Sequence, residues 1–291
     1  MALLFCDGFD SNDIDLKWVR SGGSIVSTTR FSAGLCYATS GGNIYKMLTP
    51  SSKMIAGFAL KVSSASGGYF AFFSSDAGTV YHVYLGLVVS GVIGLYKWGT
   101  SAPLATAVLT QSTGWIYVEF SATIDSVSGA AQVRVNGLLV IDYTGNTRNA
   151  STSALIDQFK VGWSDYAFDD IYICDGTGTV NNTFLGDVRI QTLLPTGAGT
   201  STQLTPTGGA NYTNANDTPD VTTSYNSSVT VGQRDTYAMG DLLASTGTIL
   251  GVQENIHGWK SDAGNGVLKP AVLDSSTVYY GATANLGTSN A

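Results

Sequence analysis

The chain has 291 residues, room for two domains of ordinary size, and a formal charge of −7. Charged residues make up 12% against 44% hydrophobic ones, about half the usual charged share, and Gly, Ser, Thr and Asn fill the difference. With only Glu119 and Glu254 as glutamates, no long surface helix built on Glu–Lys pairs is expected. The 14 Lys and Arg are scattered, which excludes a basic track for nucleic acid or an anionic membrane.

The opening Leu3-Leu4-Phe5-Cys6-Asp7 is briefly apolar and lacks a basic lead, so it reads as a first β-strand and not a secretory signal. Synthesis in a reducing cytoplasm is therefore expected, with Cys6, Cys36 and Cys174 as buried free thiols. His82 and His257 are too few to complete a zinc set. Asp7, Asp10, Asp13 and Asp15 lie close together but lack the turn glycine and bidentate glutamate of a calcium loop. Their expected role is loop capping, and no metal or cofactor is expected. The Asn-x-Ser/Thr sites at Asn149, Asn181, Asn211, Asn216 and Asn226 follow from the Ser/Thr-rich composition.

Short apolar runs between Gly/Ser/Asn turns predict strands at 2–6, 24–31, 35–39, 44–48, 54–62, 69–74, 79–89, 92–98, 115–123, 131–135, 138–143, 156–163 and 168–174. The apolar stretch Val80–Trp98 is broken by His82, Gly86, Ser90, Gly91 and Gly94, and is expected as two strands joined at Ser90-Gly91, not a membrane span. Asn136-Gly137, between alternating Val133/Val135 and Leu138–Ile141, supplies the two positive-φ residues of a type I′ hairpin. No stretch sustains helical periodicity. The fold class is therefore all-β: an antiparallel jelly-roll sandwich over residues 1–176, a linker and extended arm over 177–228, and a small β-rich region over 229–291. Residues 176–183 are a flexible polar joint. Residues 195–228 hold few large apolar side chains and are expected to lie along another surface, such as a neighbouring subunit. In the last region, 248–259, 267–273 and 277–280 are expected strands and 235–243 one helical turn. So few strands need a host to pack on.

Three landmarks resemble the concanavalin A-like lectin/glucanase superfamily in its laminin-G-like branch: Leu3–Asp10, Gly114–Phe120 with the following Val135-Asn136-Gly137 hairpin, and Phe168-Asp169-Asp170-Ile171-Tyr172-Ile173. The resemblance implies that the first and last strands of the sandwich lie side by side. Together with the Thr/Asn-rich arm and segment 231–260, the chain is also similar to uncharacterised virion proteins of tailed bacteriophages.

Glucanases of that superfamily carry Glu-x-Asp-x-x-Glu on one strand, whereas Glu119 is followed by Phe-Ser-Ala-Thr-Ile. Asp169 and Asp170, as strand neighbours, are expected on opposite faces. No Gly-x-Ser-x-Gly elbow, phosphate loop or dinucleotide unit is present, so no catalytic residue is assigned. Trp163, Asp165 and Tyr166, in one loop, are the candidate carbohydrate-binding residues: rings for a sugar face and a carboxylate for its hydroxyls. The resulting expectation is a non-enzymatic structural protein of a virion, made in the bacterial host cytoplasm. It would be a capsid decoration protein or appendage, with other virion proteins and copies of itself as partners. The alternative is a tail-associated adhesin binding a host glycan.

Overall fold

Lys53-Met-Ile-Ala-Gly-Phe-Ala-Leu-Lys-Val62 is apolar at every position between its two lysines, as expected of a strand buried on both faces. In the computed structural model, which describes residues 2–28, 30–31, 34–62, 67–89, 91–149, 152–219, 221–243 and 247–288, it lies inside a two-sheet sandwich. The sandwich strands are β1 (Leu3–Asp7), β2 (Val19–Ser21), β3 (Ser24–Val26), β4 (Cys36–Ala38), β5 (Asn43–Ser51), β6 (Lys53–Val62), β7 (Gly68–Ser75) and β8 (Val80–Val89). They continue as β9 (Val92–Lys97), β10 (Ala105–Val108), β11 (Gly114–Thr123), β12 (Gly129–Val135), β13 (Leu138–Gly145), β14 (Ile156–Gly162) and β15 (Ala167–Cys174).

The first sheet runs β13-β12-β11-β6-β15-β4-β3, with β1 also on β15; the second runs β10-β9-β8-β7-β14-β5-β2. All pairings are antiparallel. β1 and β15 are neighbours, with Phe5 opposite Ile173, as the resemblance implies. Val80–Trp98 forms β8 and β9; Ser90 lies outside the described residues. Asn136 (φ +49°) and Gly137 (φ +80°) make the expected turn between β12 and β13. The short strands β2 and β10 were not legible as apolar runs.

The core is built on phenylalanines. Phe58 of the first sheet meets Phe70 (ring centroids 6.2 Å) and Phe159 (6.0 Å) of the second, and Phe73 stacks on Phe120 at 4.5 Å. The alternate residues of β6, Ile55 and Ala59, face away from this core and form a second cluster with Tyr117, Tyr172 and Cys174. That cluster is covered by the chain after β15: Phe184, Leu185 and Val188 lie on it. Backbone N–H groups then tie this strap down, Leu185 to Tyr172 Oη (3.0 Å), Gly186 to Glu119 Oε1 (2.8 Å) and Ile190 to Asp170 Oδ1 (2.7 Å).

Beyond the strap, residues 195–239 form two ribbons, β16 (Pro195–Thr202) with β19 (Asp235–Met239), and β17 (Thr205–Thr207) with β18 (Tyr225–Ser227). The helical turn here is Asn211–Asn214; residues 235–243, expected as a turn of helix, instead contain β19. Poor in apolar side chains, this part is knitted by amides. Asn214 Nδ2 donates to Thr207 O (3.0 Å), Tyr225 O (3.0 Å) and Asn226 Oδ1 (3.1 Å), and Asn226 Nδ2 donates to Asn211 O (2.9 Å). Asp235 Oδ1 accepts from the N–H groups of Gln203 (2.7 Å) and Leu204 (2.9 Å).

The chain divides into two compact units, Met1–Gly247 and Thr248–Ala291. The second holds two small ribbons, β20 (Val267–Leu268) with β23 (Ala284–Asn285), and β21 (Ala271–Asp274) with β22 (Thr277–Tyr280). No strand forms at 248–259, where one was expected: Ile249 (67% exposed) and Val252 (68%) have no sheet face to cover.

Asn214→Ala removes three hydrogen bonds of about 1 kcal/mol each from a part with little else to hold it. Amide exchange across 205–227 should accelerate by at least tenfold while β6, β11 and β15 keep their protection.

Candidate functional site

The outer face of the second sheet carries a row of rings in register across five strands. Tyr96 of β9 lies opposite Tyr84 of β8, Tyr84 opposite Phe72 of β7, Phe72 opposite Lys160 of β14, and Lys160 opposite Tyr45 of β5. Tyr84 stacks on Tyr96 (5.1 Å, 5° between planes) and on Phe72 (5.4 Å, 23°). Phe72, Tyr84 and Tyr96 are buried, because a second layer of rings lies over and beside them. In that layer Tyr69 meets Tyr84 at 4.7 Å, Trp163 meets Phe72 at 4.9 Å, and Tyr81 meets Trp98 at 4.7 Å and Trp163 at 5.7 Å. Trp98 and Trp163 are nearly parallel, 11° apart with centroids at 6.2 Å. Trp98 is 36% exposed, Tyr69 40% and Trp163 43%. Large rings this exposed, supported from beneath by other rings, form a pre-organised apolar surface.

Backbone irregularities put those rings on one face. A bulge leaves Phe70 unpaired between Tyr69 and Ala71, and another leaves His82 unpaired between Tyr81 and Val83. Each restores the outward direction after three residues instead of two, so Tyr69 and Phe72 share a face, as do Tyr81 and Tyr84. Gly86 and Gly94 sit opposite each other beneath the rings; a Cβ on Gly86 would lie 2.7 Å from Tyr69, and one on Gly94 2.8 Å from Tyr96. Trp163 (φ +92°) follows Gly162 (φ +119°), and its N–H donates to Gly42 O at 2.9 Å. A tryptophan at positive φ is strained by about 1–3 kcal/mol, and such strain concentrates at functional sites.

The polar groups of the face are few. The Lys160 ammonium lies 4.8 Å from the Tyr81 ring centre, 5.5 Å from Trp163 and 5.6 Å from Tyr45, and it donates to Tyr81 Oη. His82, fully buried in its bulge, accepts from Asn149 N–H through Nδ1 (3.3 Å), with Nε2 at 3.1 Å from Ser75 Oγ. A neutral ring with its proton on Nε2 satisfies both contacts. Burial holds the His82 pKa below the ordinary imidazole value; a hydrogen bond to Leu155 and the charges of Asp76 and Asp157 oppose the shift, and Arg148 adds to it.

Of the three residues singled out in the 163–166 loop, only Trp163 is on this face. Tyr166 is a core residue, 4% exposed, with its ring against Phe70 (5.5 Å) and its hydroxyl donating to Gly68 O (3.3 Å). Its side chain enters the space between the sheets and takes no part in the exposed ring face. Asp165 lines a different cavity, of 590 Å³, together with Tyr166, Ser40 and Lys61. Sequence reading missed Trp98, Tyr81, Tyr69 and Lys160. The only signal was the repeated three-residue spacing, Tyr69/Phe72 and Tyr81/Tyr84, which in an unbroken strand would mean opposite faces.

The carboxylates considered for chemistry are held elsewhere. Glu119, 1% exposed, accepts from Tyr172 Oη at 2.6 Å and from the strap at Gly186. Asp169 and Asp170 are both buried, and a bulge between Asp169 and Tyr172 with a positive φ at Asp170 (+49°) interrupts the strand alternation there. Burial, with the neighbouring Asp170 charge, pushes Asp169 up to about 8; Arg30 pairs with Asp170 at 3.2 Å. In the N-terminal acidic group, Asp7 binds Lys17 (2.6 Å) and the Trp18 indole (2.7 Å), Asp10 accepts from Leu35 N–H (2.9 Å), and Asp15 pairs with Arg20 (2.6 Å). Cys36 and Cys174 are buried and Cys6 is half-buried, all three as free thiols.

No family model matches this chain, and no curated protein does. Among solved structures it is similar to domain 4 of AbnA, an extracellular arabinanase of Geobacillus stearothermophilus, in complex with arabinotriose. There the identity is 16% over 60% of this chain and 93% of that one, with a TM-score of 0.42. A Bacillus subtilis protein of unknown function with a galectin-like fold is 12% identical over 60% of this chain and 96% of its own, TM-score 0.40. The carbohydrate-binding module CBM66 from Bacillus subtilis is 12% identical over 54% and 95%, TM-score 0.37. At this level of likeness none of them carries a function over to this chain.

Two outcomes follow from the site geometry. Trp163→Gly relieves positive-φ strain while losing contacts of a half-exposed ring, so unfolding free energy should change by less than about 1 kcal/mol. By contrast, Phe72→Ala should cost about 3–5 kcal/mol. Because the folded pKa of His82 is depressed, its contribution to stability is full above the unfolded value of about 6.5 and is lost as pH falls through the folded pKa. Between about pH 7.5 and pH 5 the wild type should therefore lose more Tm than His82→Gln; parallel Tm curves would contradict it.

Proposed function

We propose that the sandwich is a non-catalytic carbohydrate-binding module whose sugar-contacting surface is the aromatic face of the second sheet. The observation that carries this is the pair of nearly parallel, part-exposed indoles, Trp98 and Trp163, set on buried rings and flanked by Lys160. The C–H face of a pyranose covers an aromatic ring, and few polar groups are then needed to orient it. Rigid support keeps the entropic cost of binding low. The carboxylates that hydrolysis would require to converge are bound into the fold, Glu119 under the strap and Asp169/Asp170 beside Arg30, which favours binding over cleavage.

The setting we favour is a tail-associated adhesin or other virion appendage, a reading that rests on the resemblance in sequence. The capsid-decoration reading keeps one supporting observation. In Thr248–Ala291 the apolar side chains of Ile249, Val252, Val267, Tyr279 and Tyr280 are each more than half exposed, as befits a segment seated on a virion protein or a second copy. In either setting the sandwich is the displayed part.

The test is retention on immobilised glycans. The wild-type full chain should bind a subset, and Trp98→Ala and Trp163→Ala should each weaken that binding by about tenfold or more, with Tm nearly unchanged. Undiminished binding by both variants would move the site elsewhere.

A further inference from the structure

A cavity of 470 Å³ opens beside Trp98, on the edge of the aromatic face. Its lining combines that indole with Lys97, Arg148, Asn146, Asn149 and two hydroxyl residues, and contains no carboxylate. The residues come from three places, the end of β9 with its following turn, Ser126 of the loop between β11 and β12, and the segment after β13, so the cavity is a product of the tertiary fold. Asp125, next in sequence to the lining residue Ser126, is hydrogen-bonded within its own loop. Its Oδ1 accepts from the N–H groups of Ser128 (2.8 Å) and Val127 (2.7 Å), and those bonds, with a smaller contribution from the Arg148 charge, hold its pKa below the usual carboxylate range. Arg148 is oriented at its backbone, donating to Asp125 O at 3.1 Å and to Asn146 Oδ1 at 3.0 Å.

Charge is the informative feature here. The chain has a net charge of −7 and only 14 Lys and Arg, yet Lys97 and Arg148 share this one cavity and Lys160 lies within the adjoining ring cluster. Tyr81 joins the two, in contact with Lys160 on one side and with Trp98 on the other. A neutral sugar needs hydroxyl-directed donors and acceptors in comparable numbers, which Asp, Asn and Gln provide. Two cations without a carboxylate among the lining residues instead match an anion, bound by charge-assisted hydrogen bonds from ammonium and guanidinium.

Resting on the carbohydrate-binding reading, we infer that the ligand is an acidic glycan. A sugar ring lies on Trp98 and Trp163, and its carboxylate, or an equivalent phosphate or sulfate, lies between Lys97 and Arg148. The net negative charge of the rest of the chain opposes a long, uniformly charged polyanion and favours a chain in which anionic residues are spaced by neutral ones.

The experiment compares the wild-type full chain, Lys97→Gln/Arg148→Gln and Trp163→Ala on an array carrying uronate-, sialate- and phosphate-bearing oligosaccharides, their neutral counterparts and a single-stranded oligonucleotide. The wild type should retain acidic glycans, at least tenfold more weakly in 0.5 M than in 0.05 M salt, since screening acts on a partly exposed pair. Lys97→Gln/Arg148→Gln should lose acidic glycans by at least tenfold with an unchanged Tm, and Trp163→Ala should lose them too. The class of acidic spot retained identifies the anion. Equal retention of neutral glycans by the wild type and the double variant would overturn the anionic inference and leave the carbohydrate reading standing. Retention of the oligonucleotide alone, or of no glycan, would overturn both.

Discussion

The pleat of a β-strand sends successive side chains to opposite faces, and everything on the outer face of the second sheet depends on where that rule is broken. Tyr69 and Phe72, like Tyr81 and Tyr84, are three residues apart, and in an unbroken strand one of each pair would enter the core. The bulges at Phe70 and His82 reverse the parity at the required point. A third irregularity, between Leu87 and Val89, shifts the β8–β9 hairpin so that Tyr84 lies opposite Tyr96. With those three adjustments the same strands present Val83, Leu85, Leu87, Ile93 and Leu95 inward and rings outward. The buried, fully partnered imidazole of His82 fills its bulge, which links a core hydrogen-bond pattern to the position of Tyr81.

The two outer faces of the sandwich have opposite fates. That of the first sheet is closed by the strap from Phe184 to Ile190, which buries Tyr117, Tyr172 and Glu119 and ties down through three backbone N–H groups. There Tyr172, Glu119 and Asp170 accept the N–H groups of the strap. That of the second sheet keeps Tyr69, Trp98 and Trp163 exposed over a buried ring layer, and Lys160 is set among its rings. A protein that conceals one face with its own chain while maintaining strained, exposed tryptophan on the other gives the second face the better claim to a ligand.

The sequence made the class of fold legible because it rests on local physics: apolar runs of strand length, the Asn136-Gly137 turn, and the scarcity of helix formers. The pairing of β1 with β15 came from the family resemblance and agrees with the structure. The ring platform was not legible, because a bulge leaves no mark in residue type and its members come from β7, β8, β9 and the loop after β14. Trp163, a candidate from the Gly-Trp-Ser-Asp-Tyr loop, lies on the ring face, whereas Tyr166 three residues on belongs to the core. The Thr/Asn-rich stretch 195–228 reads in the sequence as an extended arm, since apolar periodicity is the usual cue for ordered elements. Its order comes from side-chain amides bonding to backbone, which periodicity does not register.

The central claim is that ligands meet the face that holds Trp98 and Trp163. The chain has five tryptophans, each with one indole N–H resonance, and Trp18 is a built-in control, buried with its Nε1 bonded to Asp7 at 2.7 Å. Titrating the full chain with a glycan retained on the array and following those five resonances by NMR tests the claim directly. The account predicts shifts at Trp98 and Trp163 that saturate together while Trp18 stays fixed. Saturating shifts at Trp115 or Trp259, with Trp98 and Trp163 unmoved, would contradict it.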